Sequence, residues 1–151
     1  MIEDTAKAKR DALGIVQEIT RRAGHEIRNA LSGVAVNVEV VKSRAARGDG
    51  TDAVAPFADR AVLQVGVASA LTDGLLGLVG AVLAAEAEGK LRTLPGDGAG
   101  TRIELTVYGD RASVILSNIR RLADLIGVGV EEHAERVILT VLPEGKSHSK
   151  N

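Results

Sequence analysis

Cysteine is absent from the 151-residue chain, which excludes disulfides and thiolate metal sites and is compatible with a reducing cytosol. Aromatic residues are nearly absent too, with Phe57 and Tyr108 alone. The core must therefore be built from Val, Leu, Ile and Ala, which suits close helix packing better than a large ligand cavity and disfavours stacking platforms for bases or sugars. Neither sign of charge predominates. A net charge of -1 offers no basic field to nucleic acid and no acidic tail. A long uninterrupted apolar run is also missing: residues 68–87 come nearest, and Asp73, Gly74, Gly77, Gly80 and Glu86 interrupt them. Residues 1–10 are charged and lack the apolar core of a secretion signal. These features lead us to expect a soluble cytoplasmic protein of one compact domain or two small ones, binding neither nucleic acid nor membrane.

What the chain does contain is helical periodicity. Leu13, Val16, Thr20, Ala23, Ile27, Leu31, Val34, Val38, Val41 and Ala45 recur every three or four positions, as the core-facing seam of a helix does. The spacing predicts a helix from about Asp4 or Thr5 to Arg47, with Gly14, Gly24 and Gly33 as weak points, ended by Gly48-Asp49-Gly50. At about 100° per residue, His25 falls almost opposite Ala23 and Ile27 and should face solvent, together with Glu18, Arg22, Asn29 and Ser32. The eleven residues from Thr20 to Leu31 are not a heptad multiple, which predicts local unwinding around His25.

A second helix, capped by Thr51 or Asp52, is expected to run to about Ala87, with Pro56 in its first turn and an apolar face of Val62 or Leu63, Val67, Leu71, Leu75, Leu78 and Val82. Two such helices on a short loop form an antiparallel hairpin that cannot cover both of its apolar faces. Two hairpins from two chains can, which makes a homodimeric four-helix bundle the expected assembly. Residues 94–100 read as a linker, and the pattern then changes to alternation at Ile103, Leu105, Val107 and at Val137, Leu139, Val141. Between these two strands a helix capped by Asp110 carries Val114, Ile115, Ile119, Leu122 and Ile126. The expected fold is mainly α with a small α/β part: a helical hairpin over residues 1–88, a strand-helix-strand domain over 89–145 and a polar, disordered tail over 146–151.

The segment His25-Glu26-Ile27-Arg28-Asn29-Ala30-Leu31 resembles the H-box of two-component sensor histidine kinases, in the dimerisation and histidine-phosphotransfer domain. There a phosphoaccepting His is followed by an acid, then by Arg and by Asn or Thr. Many of those kinases have Pro at the place of Ala30, so the helix bend common among them is not required here. Gly109-Asp110 and a helix carrying Asn118 are similar to the elements that bear the N-box of the kinase ATP-binding domain. The second Asn of that box, used for magnesium, is replaced by Leu122, and no Asp-x-Gly box or Gly-rich lid follows residues 137–142. The resemblance implies a phosphotransfer helix pair with a degenerate, truncated ATP-binding-like domain.

On that resemblance the catalytic residues are His25, Glu26, Arg28 and Asn29. Nε2 of His25 accepts the phosphoryl group, as a ring nitrogen that is nucleophilic near neutral pH can. Glu26 holds the other nitrogen and fixes the tautomer, Arg28 and Arg22 offset phosphoryl charge, and Asn29 occupies the place that orients water in kinases with phosphatase activity. The expected function is a histidine phosphotransferase that exchanges a phosphoryl group between His25 and an aspartate of response-regulator receiver domains, without ATP-dependent kinase activity. The expected partners are such receivers, a hybrid sensor kinase and a second copy of the chain. No cofactor is expected on this chain, since the receiver brings its own Mg2+. Competing readings are a non-catalytic module that docks on a receiver or kinase, a phosphatase of phosphorylated regulators using Asn29, and a structural dimer in which His25 is incidental. His133, beside Glu131 and Glu132, reads as a solvated loop residue and has no metal-ligand spacing; His148 lies in the tail, and Arg120-Arg121 reads as a wet helix face.

Overall fold

The aliphatic period of the first half folds as two long helices, α1 (Ile2–Ala46) and α2 (Thr51–Ala87), in a computed structural model that describes residues 2–95 and 100–142. Glu3 and Asp4 occupy the first turn of α1, where carboxylates suit the positive end of the helix dipole. Residues 47–50 reverse the chain, and antiparallel contacts run the length of the pair, from Asn37 with Gln64 near the turn to Lys9 with Glu86 at the far end. Asn37 Nδ2 donates to Gln64 Oε1 at 3.0 Å and to the Gly33 carbonyl at 2.9 Å. The end of the Gln64 side chain fills the place a Cβ of residue 33 would take, so Gly33 permits this polar crossing.

Several local expectations change. Helix α1 is continuous through Gly14, Gly24, Gly33 and the His25 turn, because packing on α2 outweighs the small helix cost of each glycine. Pro56 is the sixth residue of α2 rather than a first-turn residue, and Gly50 takes the N-cap place without a side-chain cap. Arg111, not Asp110, precedes α3 (Ala112–Ile126).

The buried line of α1 is Ala12, Ile15, Ile19, Ala23 and Ala30, with Ile27 half-buried, and Leu13, Leu31 and Val38 of the expected seam are exposed. On α2 the buried residues are Ala61, Ala68, Ala70, Leu71, Gly74, Leu78, Ala81 and Ala85, while Val62 and Leu63 are each 70% exposed. The cause is the C-terminal part of the chain, which packs on one flank of the hairpin and selects the residues that face it. Four strands, β1 (Arg92–Leu94), β2 (Thr101–Thr106), β3 (Gly129–His133) and β4 (Arg136–Val141), form an antiparallel sheet in the order β1-β2-β4-β3. Two of these strands lie outside the expected strand-helix-strand. β1 is only three residues long, and β3 is an edge strand whose Glu131, Glu132 and His133 are all exposed, so neither carries apolar alternation.

Ile103, Leu105 and Val107 of the β2 segment, with Val137, Leu139 and Val141 of β4, pack with Ile119, Leu122, Ala123 and Ile126 of α3. The same cluster continues without a break into Ala12, Ile15, Ile19, Ala23, Leu71, Leu78, Ala81 and Ala85, so the segments 1–88 and 89–145 share one core. Helix α3 crosses closely over α2 at Gly74, where an added Cβ would stand 2.5 Å from Leu122 Cβ and 2.7 Å from the Asn118 carbonyl oxygen. By length and composition alone α2 could span a membrane, with a mean hydropathy of 1.8 over its most apolar window. Part of that apolar surface is spent on α1 and α3. The expected tail 146–151 and most of the linker lie outside the described residues.

Candidate functional site

All four residues singled out from the sequence lie within two turns of α1, beginning three residues after Arg22, which reaches the Leu142 carbonyl just beyond β4. His25, Arg28 and Asn29 are exposed, and Glu26 is half-buried. Asn29 is one turn beyond His25 and shares its face, while Glu26 is rotated by about 100° toward the packed side. Among the described residues, none makes a hydrogen bond or ion pair with the side chains of these four. His25 thus presents an imidazole on a rigid element, open to a large partner. The Arg28 guanidinium runs back along the helix toward Gly24, its Nη1 lying 4.0 Å from where a Cβ of residue 24 would stand.

Arg22, expected beside them on the open face, is engaged elsewhere. Its Nε donates to Glu18 Oε1 at 2.7 Å and its Nη2 donates to the Leu142 carbonyl at 2.6 Å, and its side chain is only 15% exposed. Glu18 also accepts from Arg21 Nε and Nη2, both at 3.0 Å. Hydrogen bonds from Arg21 first and Arg22 second hold the Glu18 carboxyl down at about 2, against an ordinary value of 4.5. Arg10, Asp11, Glu18 and Arg21 line a cleft of about 470 Å³ between α1 and the β2–β4 edge, with Arg22 and Leu142 at its wall. The sequence placed Glu18 and Arg22 on the open face with His25; their pairing at one helical turn and the Leu142 carbonyl 120 residues from Arg22 were not foreseen.

The α3 residues compared above with an N-box are also placed. Leu122, at the position of the second N-box Asn, is 1% exposed and packs on Gly74. That surface of α3 is filled by α2 and the core. His133 ends strand β3 rather than lying in a loop, with Nε2 3.9 Å from Glu131 Oε2. Glu132 alternates to the other side of the strand and pairs with Arg120 of α3, so Glu131, Glu132 and His133 do not converge. Arg120 is thereby a helix-to-strand tie as well as a wet residue.

A scan against protein-family models finds no match, and a search of curated proteins returns no significant relative.

Proposed function

We propose that this chain is a cytoplasmic histidine phosphotransferase, working as a homodimer, in which His25 exchanges a phosphoryl group with the aspartate of response-regulator receiver domains. The observation that carries this reading is an exposed His25 at the head of His25-Glu26-Ile27-Arg28-Asn29, on a continuous helix of a hairpin. In the forward step Nε2 of His25 attacks the phosphorus of a receiver's aspartyl phosphate; the P–N bond forms, the P–O bond breaks and the aspartate leaves as carboxylate. Glu26 hydrogen-bonds the Nδ1 proton and stabilises the cationic ring that carries the phosphoryl group. Arg28, exposed about one turn from His25, lowers repulsion between phosphoryl oxygens and the acids of the receiver. The Mg2+ belongs to the receiver, and a hybrid sensor kinase is a second source of phosphorylated receivers. The packing of Leu122 onto Gly74 supports charging by another protein rather than by ATP, since it fills the face of α3 that a kinase turns to nucleotide.

The test is to incubate the protein with a receiver carrying labelled phosphate. Acid-labile label should reach the wild-type chain and be lost in His25→Ala, and ATP with Mg2+ should leave the chain unlabelled. Release of inorganic phosphate that requires Asn29 and survives His25→Ala would replace transfer by the phosphatase reading. Binding of the receiver with neither outcome would leave a docking module.

A further inference from the structure

We infer that Arg22 is a positioning residue: with Glu18 and the Leu142 carbonyl it latches the end of the sheet to α1 beside His25, so that helix and sheet edge form one docking surface of fixed shape. This rests on the reading of His25 as the point a receiver approaches. The latch is two-headed. One guanidinium edge is held by Glu18 at 2.7 Å and another nitrogen reaches Leu142 at 2.6 Å, so a single planar group spans from a carboxylate of its own helix to a backbone carbonyl 120 residues away. Thr93 Oγ1 donating to the Ala8 carbonyl, at 3.3 Å, is a second tie between the sheet and α1, but it lies near the far end of the helix.

Position gives the latch its consequence. Arg22 and His25 are three residues apart, hence about 4.5 Å along the axis and on neighbouring sides of α1. A domain about 30 Å across that brings an aspartate to His25 covers several turns of the helix, and with them the end of β4. The orientation of that strand end is then part of what the partner meets. Apolar packing under the sheet fixes its distance from the hairpin, while a directional charge-assisted bond fixes its rotation. The bond also occupies Arg22, which is therefore not the mobile cation that its place near His25 first suggests.

The lysine substitution separates the two roles. An ammonium keeps the charge but cannot span Glu18 and Leu142 together, so a latch is lost in Arg22→Lys as well as in Arg22→Ala, whereas a simple charge effect is restored by lysine. The experiment measures receiver binding, label transfer and amide exchange on the full-length chain. Both variants should weaken receiver binding and raise KM about tenfold, leave kcat near the wild-type value, and speed exchange at the end of β4. Partial unfolding would instead lower the active fraction and hence kcat. Recovery of wild-type binding in Arg22→Lys, unchanged binding in Arg22→Ala, or unchanged exchange at β4 in both would overturn the latch. A wild-type chain that binds receivers without taking label sinks the transfer reading alone, because the binding constants of the variants still decide the latch.

Discussion

The two flanks of the hairpin are both aliphatic, yet among the described residues only one is covered by the chain itself. On the covered flank Ile15, Ile19, Leu71 and Leu78 are each at most 3% exposed beneath α3 and the sheet. On the other, Leu13, Leu76 and Leu83 are 57%, 68% and 60% exposed, and Leu13 and Val16 meet Val79 and Leu83 along an apolar groove of about 370 Å³. Leu31 lies 18 residues beyond Leu13, about five full turns, and so continues the same side of α1; Val62, Leu76 and Leu83 keep to one line of α2. A fully buried Leu or Ile contributes about 1.5–3 kcal/mol relative to an exposed one, so the bare flank leaves a large part of the hairpin's apolar surface unused. Beyond Ala30, no described residue of α1 is buried. The contrast indicates that the C-terminal part stabilises one end and one side of the hairpin; covering the rest is the role the proposed function gives to a second copy.

Charging the bare flank is the strongest way to break this comparison. Leu13→Glu with Leu83→Glu should weaken the proposed dimer by on the order of a thousandfold, because each carboxylate would enter an apolar interface without a partner. Light scattering should show the mass of one chain where the wild type shows two. A variant that keeps the wild-type mass would mean that the bare flank is not the dimer face.

How much of this could be read beforehand follows from what a period can and cannot encode. The Ala87 end of α2 matches the expected limit, and Ile119, Leu122 and Ile126 of the α3 stripe are buried as their spacing implies, though Val114 is exposed. The exposure of His25 followed from rotation about the helix, a local property. Which apolar line of α1 faces inward was not readable, since Leu13-Val16-Thr20 and Ala12-Ile15-Ile19 satisfy the same spacing and tertiary packing chooses between them. Small residues were the missed clue: Ala12, Ala81 and Ala85 allow the close approach that larger side chains on the bare flank do not need. Strand β3 was hidden because an edge strand needs backbone pairing, here with β4, and not an apolar face.

Glycines on the two flanks give a smaller and opposite pair of effects. Gly74→Ala places a methyl group against Leu122 Cβ and the Asn118 carbonyl, and should cost about 1–3 kcal/mol unless α3 shifts. Gly80→Ala meets nothing within 4 Å and removes the helix penalty of glycine, so it should stabilise by up to about 1 kcal/mol. Urea unfolding of both in the Leu13→Glu, Leu83→Glu background, where a single chain is expected, checks the pair. Equal effects would show that the flanks do not differ in packing.

The smallest expected effect concerns the border between the flanks, where Glu18 holds Arg21 and Arg22. Its carboxyl sits at about 2 when folded and at 4.5 ordinarily, so the folded state favours the ionised form. The resulting stabilisation is complete above about 4.5 and is lost as pH falls from there toward 2. With the Glu18 side chain 29% exposed and its Arg21 partner 53% exposed, solvent screening keeps the effect to about 1 kcal/mol or less. Thermal melts between pH 2 and 6 should therefore show a wild-type slope that Glu18→Gln flattens, while the two converge at the acid end, where the wild-type carboxyl is itself neutral. Because Gln keeps an oxygen acceptor for Arg22, the fold should persist, and the loss should be felt most just beyond β4, where the Leu142 carbonyl accepts from Arg22. A Glu18→Gln chain with an unchanged slope would mean that the carboxylate acts on Arg21 and Arg22 without contributing to the docking of the sheet.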